Sequence, residues 1–115
     1  MAIKPVLHLF LLTLLLSSCA SPRPWTKREK AAAGFFVLGH TADAITTERM
    51  LDRGHYETND ILGKYPSDTE IAIYFPVTGL IGLGVAHWWP EAREWILWSG
   101  GTLGAGLAIH NEGLE

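Results

Sequence analysis

A second cysteine is missing from this chain, so the single Cys19 cannot close a disulfide within one copy. A basic excess is missing as well: a net charge of −3 leaves no electrostatic footprint for nucleic acid, which is not expected as a partner. The 115 residues contain no internal repeat and no low-complexity tract, which leaves one small domain. No strand pattern precedes the glycines, so they do not form a dinucleotide-binding loop. There is no H-E-x-x-H spacing for zinc, and neither Ser99 nor Thr47 has a nucleophile motif around it.

What the chain has in abundance is apolar surface. Hydrophobic residues make up 48% and the mean hydropathy is positive, more than a soluble domain of this size needs. Part of the excess is N-terminal. Lys4 is a short positive region, Val6 to Leu16 an apolar run, and Ser17, Ser18 and Cys19 follow as small residues at a cleavage position. The tetrad Leu16-Ser17-Ser18-Cys19 resembles the lipobox of bacterial lipoproteins. That resemblance implies a signal peptide over 1–18 and cleavage before Cys19. It also implies a diacylglycerol on the sulfur and an acyl chain such as palmitate on the new N-terminus, with no other cofactor. Acyl chains hold a protein to a membrane at about 0.8 kcal/mol per buried CH₂, and stable anchoring takes at least two of them. Ala20, rather than Asp, follows Cys19, so similarity to the Gram-negative sorting rule supplies no inner-membrane retention signal. The expected location is the bacterial cell envelope, anchored on the periplasmic or outer side, with inner and outer membrane both open.

Residues 19–30 read as a tether, punctuated by Pro22 and Pro24 and carrying Arg23, Lys27, Arg28 and Lys30. Such cations rest on anionic headgroups at roughly 1 kcal/mol each, with Trp25 at the interface, or they are a solvated linker. A lipidated Cys19 puts this cluster on the periplasmic side, against the positive-inside bias.

Residues 31–115 read as an all-α domain, a small bundle of about three helices. The first runs from about Thr26 to Arg53, carried by Ala31, Ala32 and Ala33 and ended by Gly54. The second opens on Ser67-Asp68-Thr69-Glu70, a capping-box pattern, and continues to Trp88-Trp89 with Pro76 inside it as an expected kink. At 1.5 Å per residue it is roughly 30 Å long, the thickness of a bilayer core. Pro90 starts a third helix to about Ile109, so the last two form a membrane-embedded helical hairpin. Gly79, Gly82 and Gly84 are expected to face Gly100, Gly101, Gly104 and Gly106 across it. Such glycines weaken a soluble helix by about 1 kcal/mol each relative to Ala but let membrane helices approach closely. The same glycine-rich helices offer a homo-oligomer contact. Trp88, Trp89, Trp95 and Trp98 cluster about the Pro90 turn as an interfacial belt does; an aromatic core in a soluble bundle is the other reading.

Polar residues that could carry chemistry gather between 40 and 60 and at the C-terminus. His40, Asp43 and Thr47 share a stripe of the first helix, Glu57 and Asn59 follow in the loop, and His110-Asn111 end the third helix. An up-down-up bundle brings Asp43, Thr47, Glu57, Asn59, His110 and Asn111 to one end and leaves His87 at the other. The structural reading has Asp43 accepting hydrogen bonds and Glu57 and Asn59 locking the loop. A metal reading uses His40, Asp43, Glu57 and His110 as ligands for zinc or manganese. A catalytic reading makes Asp43 or Glu57 the general base of an intramembrane hydrolase, with His40 or His110 as its partner.

The run Asp43-x-x-Thr46-Thr47, Glu57-x-Asn59-x-x-x-Gly63, Pro66-Ser67, Tyr74, Pro90, Arg93, His110-Asn111 resembles uncharacterised small membrane proteins and lipoproteins of bacteria and their phages. They carry an Asp…Thr…Glu-x-Asn-Pro pattern between hydrophobic helices; Asp60 stands where that pattern has Pro. The resemblance implies a membrane location and no activity. The expected function is a lipid-anchored envelope protein with a structural or interaction role, more a binder than an enzyme. Its partners are membrane lipid and a neighbouring envelope protein that it modulates. A soluble periplasmic bundle held only by its lipid is the third reading.

Overall fold

The first two helices of the bundle begin where the sequence supplies a cap. Thr26 accepts the Glu29 amide at 3.1 Å while the Glu29 carboxylate accepts the Thr26 amide at 3.0 Å, which opens α1 (Lys27–Asp52). Ser67 and Glu70 make the same reciprocal pair at 3.1 and 2.7 Å and open α2 (Asp68–Trp88). A 3₁₀ turn at Pro90–Ala92 leads into α3 (Arg93–Gly113). Gly54 ends α1 at φ +90°, the left-handed region that a Cβ disfavours. The computed structural model describes residues 8–9 and 22–114; Leu16-Ser17-Ser18-Cys19, expected to be a lipobox, lies outside them. The described residues contain helices and no strand, so the expected all-α bundle is the architecture found.

Of the residues read as a tether, 27–30 belong to α1, whose start was expected near Thr26. Helix starts at Lys27, Glu29 is buried, and Trp25 packs beside the cluster of Ala32, Phe36, Ala86 and Leu97. Pro76 lies inside α2 without ending it.

The glycines also serve a different contact from the expected one. The largest interface joins α1 to α3, which run parallel, while α2 packs more sparsely on both. A Cβ at Gly39 would collide with the Gly101 carbonyl, and one at Gly104 with the Gly39 backbone. Gly82 and Gly100 instead flank the Phe36 ring, and a Cβ at Gly79 would lie 3.1 Å from the His40 imidazole. Gly79, Gly82, Gly100, Gly101 and Gly104 thus receive α1 rather than each other, while Gly84 and Gly106 face open space.

Because the Gly39 contact is backbone against backbone, neither side can swing away. Gly39→Ala is expected to destabilise the bundle by about 1–3 kcal/mol. Gly106→Ala, whose Cβ meets open space, is expected to be neutral or stabilising by up to about 1 kcal/mol. Denaturant titration in detergent micelles, followed by far-UV circular dichroism, separates the two.

Candidate functional site

Two polar clusters, one at each end of the α1 and α3 pair, hold most of the residues that could carry chemistry. At the loop end Asn111 is buried and its side-chain amide donates to Asp43 Oδ1 at 3.3 Å, Thr46 Oγ1 at 3.1 Å and Thr47 Oγ1 at 3.3 Å. Thr47 donates to Asp43 Oδ1 at 3.4 Å, and Thr46 donates to the Ala42 carbonyl at 2.8 Å. Arg53 reaches across from the end of α1 to the Asn111 backbone carbonyl at 2.5 Å. Sequence spacing places Asp43 and Thr47 one turn apart, and the parallel course of α3 delivers Asn111 to both.

The loop between α1 and α2 is built around Glu57 and Asn59. Glu57 Oε1 accepts the amides of Thr58 at 2.8 Å and Asn59 at 3.0 Å. Asn59 Oδ1 accepts the Ile61 amide at 2.9 Å, and its Nδ2 donates to the Tyr74 hydroxyl on α2 at 2.7 Å. The Glu57 amide donates to the Lys64 carbonyl at 2.8 Å, which closes the loop on itself. Glu-x-Asn is therefore a local device: one side chain turns the backbone and the next fastens it to a helix. A cavity of about 290 Å³ beneath this loop is lined by Asp43, Glu57, Asn59, His110 and Asn111 together with Met50, Phe75 and Leu107. His110 borders it from an exposed position.

His40, one turn before Asp43, makes its hydrogen bonds to α2 rather than within this cluster. Its Nε2 donates to the Phe75 carbonyl at 2.7 Å and lies 3.0 Å from Thr78 Oγ1, while the ring stacks on Phe36 at 5.6 Å. A carbonyl can only accept, which fixes the proton on Nε2 and joins α1 to α2 there. Among the described residues no three His, Cys, Asp or Glu side chains gather as a ligand set, so His40, Asp43, Glu57 and His110 are not brought together as one metal site. His40 borders a second, apolar cavity of about 480 Å³ between α1 and α2, lined by Phe36, Ile71, Phe75, Pro76 and Leu83.

The opposite end holds a cluster that sequence reasoning missed. Arg93 is fully buried at the start of α3. Its Nε donates to the Ala86 carbonyl and its Nη2 to the His87 carbonyl, both at 2.9 Å, which satisfies the open C-terminal end of α2. Its Nη1 pairs with Glu29 Oε2 at 3.2 Å, and its guanidinium stacks 4.3 Å from the Trp25 ring. Arg23 holds the other Glu29 oxygen at 2.5 Å. Trp25, expected at a membrane interface, instead donates its indole N–H to His87 Nδ1 at 3.1 Å. Trp88, Trp89, Trp95 and Trp98 are exposed, Trp95 most of all at 76%. Two signals pointed to this cluster: Thr26-x-x-Glu29 is a capping box within the basic run, and an arginine in a helix's first turn opposes the macrodipole and so needs another partner.

Glu29 is held down at about 2, chiefly by the hydrogen bond from Arg23, against the upward push of burial and with help from the Thr26 amide and the Arg93 charge. No family model matches the chain, and no curated protein and no solved structure matches it. The fold and these clusters define a three-helix bundle fastened by polar networks at both ends.

Two expectations follow from the geometry. A carboxylate depressed on folding stabilises above its unfolded value, near 4.5, and that contribution fades as pH falls toward about 2. The thermal midpoint should fall across this window, and the fall should shrink in Glu29→Gln. At the other end, Asn111→Ala leaves two threonine hydroxyls and a carboxylate without their shared donor, and should destabilise by about 1–3 kcal/mol in the same unfolding assay.

Proposed function

We propose that this chain is a small helical membrane protein of the bacterial envelope, lipid-anchored at Cys19, with a structural or binding role toward a neighbouring envelope component. The observation that carries the reading is how the ionisable side chains are sorted. Between 31 and 47 of α1, 71 and 86 of α2, and 95 and 109 of α3, the ionisable residues are His40, Asp43 and Tyr74. All three are half-buried and hydrogen-bonded inside the bundle. Each segment is roughly 22–26 Å long at 1.5 Å per residue, close to a hydrocarbon core.

The outward face of that band is apolar. Leu38, Leu80, Leu103 and Ile109 are each at least 64% exposed. α2 is the one described helix long and apolar enough to cross a membrane, and only 22% of its apolar window is buried in the bundle. A core helix of a water-soluble protein would be mostly buried, and soluble monomers rarely leave apolar patches of this extent to water. The polar residues of the loop end bond to one another and fasten helix ends, which favours an architectural use over catalysis.

Cys19→Ser separates anchor from embedding. The variant should lose incorporation of radioactive palmitate yet stay with membranes after alkaline carbonate extraction. Release into the soluble fraction would overturn embedding, and undiminished labelling would overturn the anchor.

A further inference from the structure

We infer that the end of the bundle formed by the first turn of α1 and the Pro90 turn docks on an anionic phospholipid leaflet, an inference that rests on the membrane reading above. Ion pairs between Glu29 and Arg93 and between Arg28 and Glu94, at 3.2 and 2.6 Å, tie these two segments into one layer. That layer borders the apolar band, where a bilayer has its headgroups. It carries exposed Trp88, Trp89 and Trp95. Indoles favour this depth because their ring is apolar and their N–H is wet.

The charge of the layer is set by which side chains are already paired. Glu29 is buried between Arg23 and Arg93, and Glu94 is paired with Arg28. Lys27 and Lys30 are exposed and make no ion pair among the described residues, and Glu91 is the one carboxylate of this end left to oppose them. The loop end is the reverse: Asp52, Asp60, Asp68 and Glu70 make no ion pair among the described residues. Two free ammonium groups beside three exposed indoles fit phosphate headgroups of net negative charge, and the acidic opposite end does not. Arg23 is tied to Glu29 and the half-buried Trp25 to His87, so the contact surface is the folded helix start and not a loose tether.

The test reconstitutes the full chain in phosphatidylcholine vesicles and compares the association of spin-labelled phosphatidylglycerol with that of spin-labelled phosphatidylcholine. At low salt the wild type should prefer the anionic probe by roughly fivefold, falling toward equal association at high salt. Lys27→Gln/Lys30→Gln should abolish the preference, while Lys64→Gln at the loop end should keep it. Equal association of the two probes with wild type, or a preference that survives the double substitution, overturns the inference alone. A chain that stays in water, folded and monomeric, without entering vesicles overturns the membrane reading and this inference together.

Discussion

The near contact of the α1 and α3 backbones at Gly39, Gly101 and Gly104 sets the register of everything else. Two parallel helices this close cannot slide, because a shift of one residue would drive a Cβ into a carbonyl. With the register fixed, Glu29 meets Arg93 at one end and Asp43 meets Asn111 at the other. Parallel neighbours in sequence need a return element between them. α2 is that element, and its looser packing leaves the apolar cavity beside His40. The polar end clusters are consequences of the glycine seam rather than its cause.

Burying a guanidinium is unfavourable unless its donors all find acceptors, and Arg93 solves this by using what the fold leaves over. The last carbonyls of α2 lack intrahelical partners, and Arg93 takes those of Ala86 and His87. Glu29 cancels the charge, and the Trp25 ring covers the cation. One side chain thereby joins α1, α2, α3 and the segment before α1. Such a group specifies a single arrangement more than it adds stability, since an apolar residue there would pack against any neighbour.

Much of the fold was legible from local rules. Ser67 and Glu70 announced the start of α2, Gly54 the end of α1, and Pro90 the turn before α3, because caps and breakers act within a few residues. The gathering of Asp43, Glu57, Asn59, His110 and Asn111 at one end followed from counting helices. The choice of partner did not. Helical periodicity says which face carries glycine but not which helix that face meets, so a seam between α1 and α3 read as one between α2 and α3. His40 read as a neighbour of Asp43 because both lie on one stripe, yet at that height the facing element is α2, whose Gly79 makes room for the ring. Arg93 and Glu29 were hidden because each sits among surface-like charges, and only their distance in space identifies them as a pair.

The sorting of side chains also narrows where function can reside. In a water-soluble bundle apolar groups face inward and polar groups outward, and the interior supplies stability while polar surface or clefts supply chemistry. Here the middle of the bundle keeps an apolar interior of Phe36, Phe75 and Leu97, but its polar groups His40 and Asp43 bond inward while Leu38, Leu80 and Leu103 face outward. A polar group already bonded within the bundle must give up those bonds before it can bind or activate anything else, which in a low-dielectric setting is costly. The surfaces that remain free are the apolar flank, the acidic loop end and the layer of indoles and ammonium groups at the start of α1. On the membrane reading proposed above, these are the surfaces left for lateral packing and for end-on contact with headgroups or neighbours, and three short helices held by one glycine seam are enough structure to present them.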